Sequence, residues 1–314
     1  MFLCPKCHNK LINGDEGYLC TVCGSNYPTI GGIHHLISEK VSEECFFPDD
    51  AFDLIYRSEE RNFWYRVRNK IIGSFITRYL PPPCRILEVG CGTGYVSRYL
   101  KNNGYHINCA DFSMEALYFC RKRGAGDQYY QINLMEGIII EEYEGICAFD
   151  VLEHIDDDET VLYNLHSALK PDGYLFITVP ADMRIWSGMD VYEEHKRRYS
   201  KFELQNKLKK CGFQVERISY FMMFLYPVLL LTRRFLSGLH KKDTSGFKEQ
   251  IEKNYHKEFQ PNVLLNFVFF FIFSLECPII RFLNFPFGSS LICVAVKDSK
   301  YSKDNSDNCK NPTE

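Results

Sequence analysis

The sequence predicts an α/β fold with a small metal-held module ahead of it. A short β-rich apolar run, Ile86 to Val89, leads into Gly90, Gly92 and Gly94, and a helical pattern opens at Tyr95. Glycines there let the backbone turn sharply and let a ligand approach where a β-carbon would collide. Strand-like and helical segments then alternate, beginning with "HINCADFSMEAL", a second strand that ends in Asp111. In the first 23 residues, Cys4, Cys7, Cys20 and Cys23 form C-x2-C-x12-C-x2-C. Each pair sits in a short turn that can present two thiolates to one tetrahedral ion.

Composition bounds the rest. At 314 residues, 46% hydrophobic and 25% charged, the chain can bury one substantial core plus one or two smaller units. A net charge of −3 argues against a general polyanion binder. No secretory signal is read at Met1, so a cytoplasmic location is expected, with the fourteen cysteines serving as metal ligands and buried thiols rather than disulfides. Residues 1–40 read as a zinc ribbon, with "GDEGYLC" as a hairpin between the two knuckles and "SNYPTIGGIHHLI" as the exit strand and turn. So small a unit has little core, so structural Zn2+ would hold it together, and four cysteines leave no open coordination position. Residues 41–83 form a connector, acidic at first and helical through "RNFWYRVRNKIIGSFITRYL", stopped by Pro81 to Pro83. Phe63, Trp64, Val67, Ile71 and Phe75 fall near helical spacing, which fits core packing or a lid over a cofactor.

The word E-V-G-C-G-T-G, Glu88 to Gly94, resembles motif I of the class I S-adenosylmethionine-dependent methyltransferases, a Rossmann-like family. The resemblance implies a mostly parallel seven-stranded sheet with helices on both faces, spanning residues 84–219 and 290–298. It also implies S-adenosyl-L-methionine held at Glu88, Gly90, Cys91, Gly92, Thr93 and Gly94, and at Asp111 and Phe112, with Asp111 accepting both ribose hydroxyls. Asn133, ending the third strand, stands where many relatives have an aspartate that pairs with the adenine amino group. Phe149 and Asp150 follow the fourth strand, Asp150 read as a residue that positions the loop, and "LKPDG" is the turn before the fifth. Asp156 to Glu159 read as a helix start, where negative charge meets the dipole. The loop lacks the G-x-G-x-x-G of a dehydrogenase, and no phosphate-binding G-x-x-x-x-G-K-[ST] occurs.

Methyl transfer proceeds in line from the sulfonium, so the enzyme mainly aligns donor and acceptor and excludes water. A base is needed only when the acceptor holds its proton tightly, as a hydroxyl does. After the fifth strand, "VPADMRIWSGMDVYEEHKRRY" supplies His195 as the candidate catalytic base, with Trp186, Asp190 and Tyr199 as substrate-side candidates. The seven Lys and Arg residues between 196 and 210 are either a solvated helix face or a phosphate contact.

Residues 220–289 interrupt the last two strands, "FQVERISY" and "SLICVAVKD", with an apolar helical insertion. Both strands return to one sheet, so the chain crosses a membrane an even number of times or not at all. The run "VLLNFVFFFIFSL" is short for a span, and extending it takes in Glu276 and Arg281. The insertion is therefore read as a cap packed on the domain or on a second subunit of a homodimer, or as a peripheral element at the inner face of the membrane. In the second case Arg233, Arg234, Lys241 and Lys242 lie near anionic headgroups. Residues 299–314 read as a disordered tail. The activity expected is methyl transfer to a small-molecule, glycan or lipid-linked acceptor. An RNA base methyltransferase and a non-catalytic cofactor-fold binding protein are the alternatives, nucleic acid being disfavoured by the low charge and the apolar insertion.

Overall fold

The computed structural model describes residues 2–38, 49–140, 142–236 and 262–298. Lys241, Lys242 and the tail 299–314 lie outside the described residues, as does the side chain of Arg234. The chain opens with β1 (Ile12–Gly14), β2 (Gly17–Leu19), β3 (Asn26–Ile30) and β4 (Ile33–Leu36), followed by helices α1 (Asp49–Ser58) and α2 (Phe63–Tyr79). Then β5 (Arg85–Val89), α3 (Tyr95–Asn102), β6 (His106–Asp111), α4 (Met114–Lys122), β7 (Gln128–Ile132), β8 (Tyr143–Phe149), α5 (Asp158–Ala168) and β9 (Leu169–Pro180) alternate. The last part holds α6 (Gly188–Tyr192), α7 (Lys201–Lys210), β10 (Phe213–Phe221), α8 (Leu225–Leu236), α9 (Val263–Ser274), α10 (Glu276–Ile280) and β11 (Ser290–Lys297).

The strands form one sheet in the order β1-β2-β3-β4-β7-β6-β5-β8-β9-β11-β10. This corrects the expected seven-stranded, mostly parallel sheet. The sheet has eleven strands and is mixed, with five parallel pairings and five antiparallel ones. The four added strands come from the N-terminal module, whose β4 lies parallel to β7, with His34 opposite Tyr130 and Leu36 opposite Ile132, and two of the antiparallel pairings, β9 with β11 and β11 with β10, lie in the main domain. Phe2 packs on Tyr130 with ring centroids 4.7 Å apart, and Leu3 N–H donates to the Ile138 carbonyl. The module therefore shares the core of the main domain.

Alternation along the central strands separates two apolar layers. Leu87, Val89, Ile146 and Ile177 face α5 and α7. Ile86, Cys147 and Phe176 face α2, α3 and α4. "LKPDG" is corrected from a turn preceding the fifth strand to an excursion within β9. Leu169 already pairs with Tyr143, and the chain bulges out and rejoins at Tyr174 opposite Gly145. Asp157 caps α5 by accepting the Thr160 N–H, so the acidic run does begin a helix.

The insertion packs one face and exposes the other. Phe63 of α2 meets Phe269 and Phe273 of α9, both with centroids at 5.2 Å. Asn266 accepts the Phe63 N–H and donates to the Arg61 carbonyl. Val263–Ile280 is long and apolar enough to cross a membrane by length and composition, with 17% of it buried. That corrects the reading that the run is too short, because α10 follows α9 after Leu275 alone. Glu276 is nevertheless fully buried, where it accepts the Phe224 N–H.

Candidate active site

The carboxyl ends of β5 to β8 open on a cavity of about 1060 Å3. Glu88, Gly90, Cys91, Gly92, Thr93, Asp111, Phe112, Asn133, Phe149 and Asp150 all line it. Gly94 lines no part of it. It precedes α3 at φ +78°, and a β-carbon there would lie 2.6 Å from Cys120 Sγ. Gly92 is the position whose added β-carbon would meet open space. Its N–H donates to Asp111 Oδ2 at 2.8 Å, and Asp111 Oδ1 accepts the Ser113 N–H at 2.9 Å. One carboxylate thus pins the glycine loop against the end of β6. Asn133 Oδ1 accepts the Met135 N–H. Below the loop, burial pushes the Glu88 carboxyl up to about 8, outweighing the hydroxyl of Ser97 that donates to it.

Helix α2 closes the cavity from above. Val67, Ile71, Ile72 and Phe75 are buried in the core, while Trp64, Tyr65 and Arg68 turn to the cavity. Packing and lid are therefore two faces of one helix. The Arg68 guanidinium donates to Asp150 Oδ2 at 2.7 Å and to Thr178 Oγ1 at 3.1 Å, and Thr178 donates to Asp150 Oδ1. Asp150, at φ +58°, lines the site with its carboxylate already engaged. Glu59 accepts the Thr93 hydroxyl and pairs with Arg123, so α1 and α2 are tied to the loop. Sequence reasoning missed Arg68 and Glu59, because no local pattern marks a residue whose partner lies 82 positions away.

The loop after β9 forms the opposite wall through Ser187, Met189, Glu193, His195 and Arg198. Trp186, Asp190 and Tyr199 are not among the residues lining the cavity, and the full burial of Asp190 and Tyr199 corrects the substrate-side reading of those two. Asp190 is fully buried, accepting from His195 Nδ1 at 3.0 Å and Arg198 Nε at 2.6 Å and closing a capping box with Ser187. Burial raises its carboxyl, but His195 and Arg198 outweigh that and bring it down to about 2. A carboxylate only accepts, so His195 carries a proton on Nδ1. Tyr199 is buried behind the site, donating to Asp158 Oδ2 at 2.6 Å. Much of the basic run is paired internally: Arg197 and Lys207 with Asp158, Lys210 with Glu159, Arg198 with Asp190.

On the far side of β7, the thiols of Cys4, Cys7, Cys20 and Cys23 lie within 4.8 Å of one another. Cys4 and Cys23 are 3.6 Å apart and Cys7 and Cys20 3.4 Å. A tetrahedron with Zn–S bonds of about 2.3 Å has edges of about 3.8 Å, so the donor set suits that ion.

The geometry agrees with what the chain resembles. Residues 56–218, just over half of it, match the methyltransferase-domain family. A ubiquinone biosynthesis O-methyltransferase of Xylella fastidiosa is 30% identical over 194 residues, covering 59% of this chain and 73% of that protein. A phosphoethanolamine N-methyltransferase of Haemonchus contortus, solved with S-adenosyl-L-methionine, superposes with a TM-score of 0.51 at 17% identity, covering 82% of this chain and 60% of that one. A structure from Haloferax volcanii, of a methyltransferase and its activator in complex, contains a chain that gives 0.51 at 13% identity, covering 81% of this chain and 99% of that one. The chain belongs to the methyltransferase-domain family, as an S-adenosylmethionine-dependent enzyme.

Proposed function

We propose that this enzyme methylates a hydroxyl oxygen of a small, amphipathic acceptor delivered from a membrane surface. The observation that carries the reading is the construction of the cavity wall. Leu225 and Leu229 of α8 and Phe269 of α9 line the cavity, while Val228, Leu231, Phe267 and Phe271 of the same helices are exposed. A cavity of about 1060 Å3 is at the upper end of single-ligand sites, about 300–1,000 Å3, so donor and acceptor fit together. S-adenosyl-L-methionine would be held by the Gly90–Gly92 turn, with Asp111 to accept from its ribose and Phe112 and Asn133 to meet its adenine, residues that all line the cavity. His195, oriented by Asp190, takes the acceptor proton, as a hydroxyl requires. The O-methyltransferase relative supports oxygen as the methylated atom.

Exposed apolar residues on α9 and beyond it, among them Val263, Leu264, Phe282 and Leu283, support contact with the inner face of a membrane. Arg66 and Lys70 lie over the Phe270 ring, where their charges can meet anionic headgroups. Zn2+ at the four N-terminal cysteines holds the ribbon and, through β4, the edge of β7. Internal pairing of the basic run weighs against RNA as acceptor. Calorimetry with S-adenosyl-L-methionine tests the donor; no binding by the wild type defeats the reading. Co-sedimentation with anionic vesicles tests the delivery route: Phe282→Asp with Leu283→Asp should abolish it. RNA retention that salt removes would instead favour the nucleic-acid acceptor.

A further inference from the structure

The face that α8 turns to the cavity runs from apolar to charged. Leu225, Leu229 and Arg233 all line the cavity. They stand four residues apart, so they lie one above another on a single side of the helix. At 1.5 Å per residue the strip extends about 12 Å from Leu225 to Arg233. Phe269 of α9 adds to the apolar part of the wall. The sequence reading sets Arg233 beside anionic headgroups, whereas the fold turns it to the cavity.

Arg233 arrives there without a counter-charge. Its Nε is shut off from water and has no hydrogen-bond partner. The other guanidiniums that line the cavity are engaged, Arg68 with Asp150 and Arg198 with Asp190. Among the described residues, Arg233 is the cavity-lining guanidinium that no carboxylate meets. A cation partly withdrawn from water beside leucine side chains carries a desolvation cost that a bound anion offsets.

The strip belongs to the acceptor side of the cavity. Tyr226 of α8 donates to Asp182, which begins the turn Met183–Ile185 in the loop after β9. The residues expected at the donor's ribose and adenine, Asp111, Phe112 and Asn133, stand instead at the ends of β6 and β7.

We infer that Arg233 binds an oxyanion of the acceptor, a phosphate or a carboxylate, while the acceptor's apolar part lies along Leu225 and Leu229. The inference rests on the proposed function and narrows its acceptor to an amphipathic anion. The planar fork of a guanidinium suits both groups, since each presents paired oxygens to parallel N–H donors. The methylated hydroxyl and the oxyanion are then separate groups of one molecule, the first met by His195 from the loop after β9 and the second by Arg233 from α8.

The test uses full-length protein saturated with S-adenosyl-L-homocysteine, with octyl phosphate, octanoate, 1-octanol and inorganic phosphate as calorimetric probes. At least one of the two anionic amphiphiles should bind about 10- to 150-fold more tightly than octanol, the effect of one charged hydrogen bond, and the tighter of them identifies the oxyanion. Arg233→Gln should bind that anion no better than octanol, with its affinities for octanol and for S-adenosyl-L-methionine unchanged. Arg233→Lys, which keeps the charge and gives up the fork, should fall between the two and carries the comparison if the glutamine variant fails to fold. Equal wild-type affinity for both anions and octanol, or a preference undiminished in the variants, overturns the inference and leaves the donor site standing. Inorganic phosphate bound as tightly as octyl phosphate does so too, because the apolar strip would then contribute nothing. Co-sedimentation of Arg233→Gln with anionic vesicles should match wild type; its loss would make Arg233 a headgroup contact, and weakened S-adenosyl-L-methionine binding would make it a donor contact, each overturning the assignment. Absence of cofactor binding in the wild type would instead defeat the proposed function.

Discussion

Alanines placed two residues apart in the glycine loop should fail in different ways. At Gly94 an added β-carbon would lie 2.6 Å from Cys120 Sγ and 2.7 Å from the Ala125 β-carbon, at φ +78°. Overpacking costs about 1–3 kcal/mol and the left-handed backbone about 1–2 kcal/mol, so Gly94→Ala should lose about 2–5 kcal/mol of stability. At Gly92 φ is +52° and nothing lies within 4 Å of the added atom, so only the backbone term of about 1–2 kcal/mol applies. There the methyl points into the space assigned to the cofactor. Overpacking a ligand by about 1–3 kcal/mol weakens it about 5- to 150-fold. Thermal unfolding and calorimetry with S-adenosyl-L-methionine read the two effects separately. At about 2–4 °C per kcal/mol, Gly94→Ala should melt about 4–20 °C below wild type, and Gly92→Ala by no more than about 8 °C. Wild-type cofactor affinity in Gly92→Ala, or melting as low as that of Gly94→Ala, would refute the assignment of one glycine to the cavity and the other to the core.

Asp111→Asn keeps the shape but loses the charge that faces Gly92 and Ser113. One charged hydrogen bond lost to the ribose, about 1.5–3 kcal/mol, should weaken the cofactor about 10- to 150-fold by calorimetry; unchanged affinity would remove Asp111 from the site. Burial holds Glu88 up at about 8, so the folded state keeps a proton that the unfolded chain releases near its ordinary value of about 4.3. That contribution is full at low pH and is lost as pH rises to about 8. Burial brings His166 down to about 4, so its contribution is present above about 6.5 and lost as pH falls toward 4. Melting temperature should therefore decline from pH 6.5 to 8 in the wild type, and Glu88→Gln should flatten that limb. Stripping Zn2+ with a chelator should raise hydrogen exchange at Tyr130 to Ile132, where β4 pairs, while the β5 amides stay protected. Loss of protection throughout the sheet would show that the ribbon supports the whole domain.

Sequence reading reached what is local. Gly90, Gly92 and Asp111 announce themselves because a strand, a left-handed turn and a helix follow one another within a few residues. Asp157 and the four thiols are equally local, since caps and metal knuckles are set by spacing. Tyr199 and Asp190 were misplaced for a different reason. Their loop does reach the cavity, but a loop has no fixed period, so nothing in the sequence says which side chains turn inward. Asp190 turns toward His195 and Arg198, and Tyr199 toward Asp158. The pairing of β4 with β7 was hidden too, because strand partners in a parallel sheet depend on topology rather than on neighbours in the chain.

Helix α2 shows why the acceptor side cannot be read from the glycine-rich half alone. Its buried face belongs to the sheet core through Val67, Ile71 and Phe75. Its first turn holds the insertion through Phe63 and Phe269. Between these, Arg68 fixes Asp150 at the end of β8, three residues before Glu153. The contacts of α9 are thus one helix away from the carboxylates of the cavity. Apolar faces in the insertion and the carboxylate of Asp150 are therefore both held by α2. Arg68, which holds Asp150, lies in neither the glycine loop nor the loop after β9, but in a connector whose sequence reads as ordinary amphipathic helix.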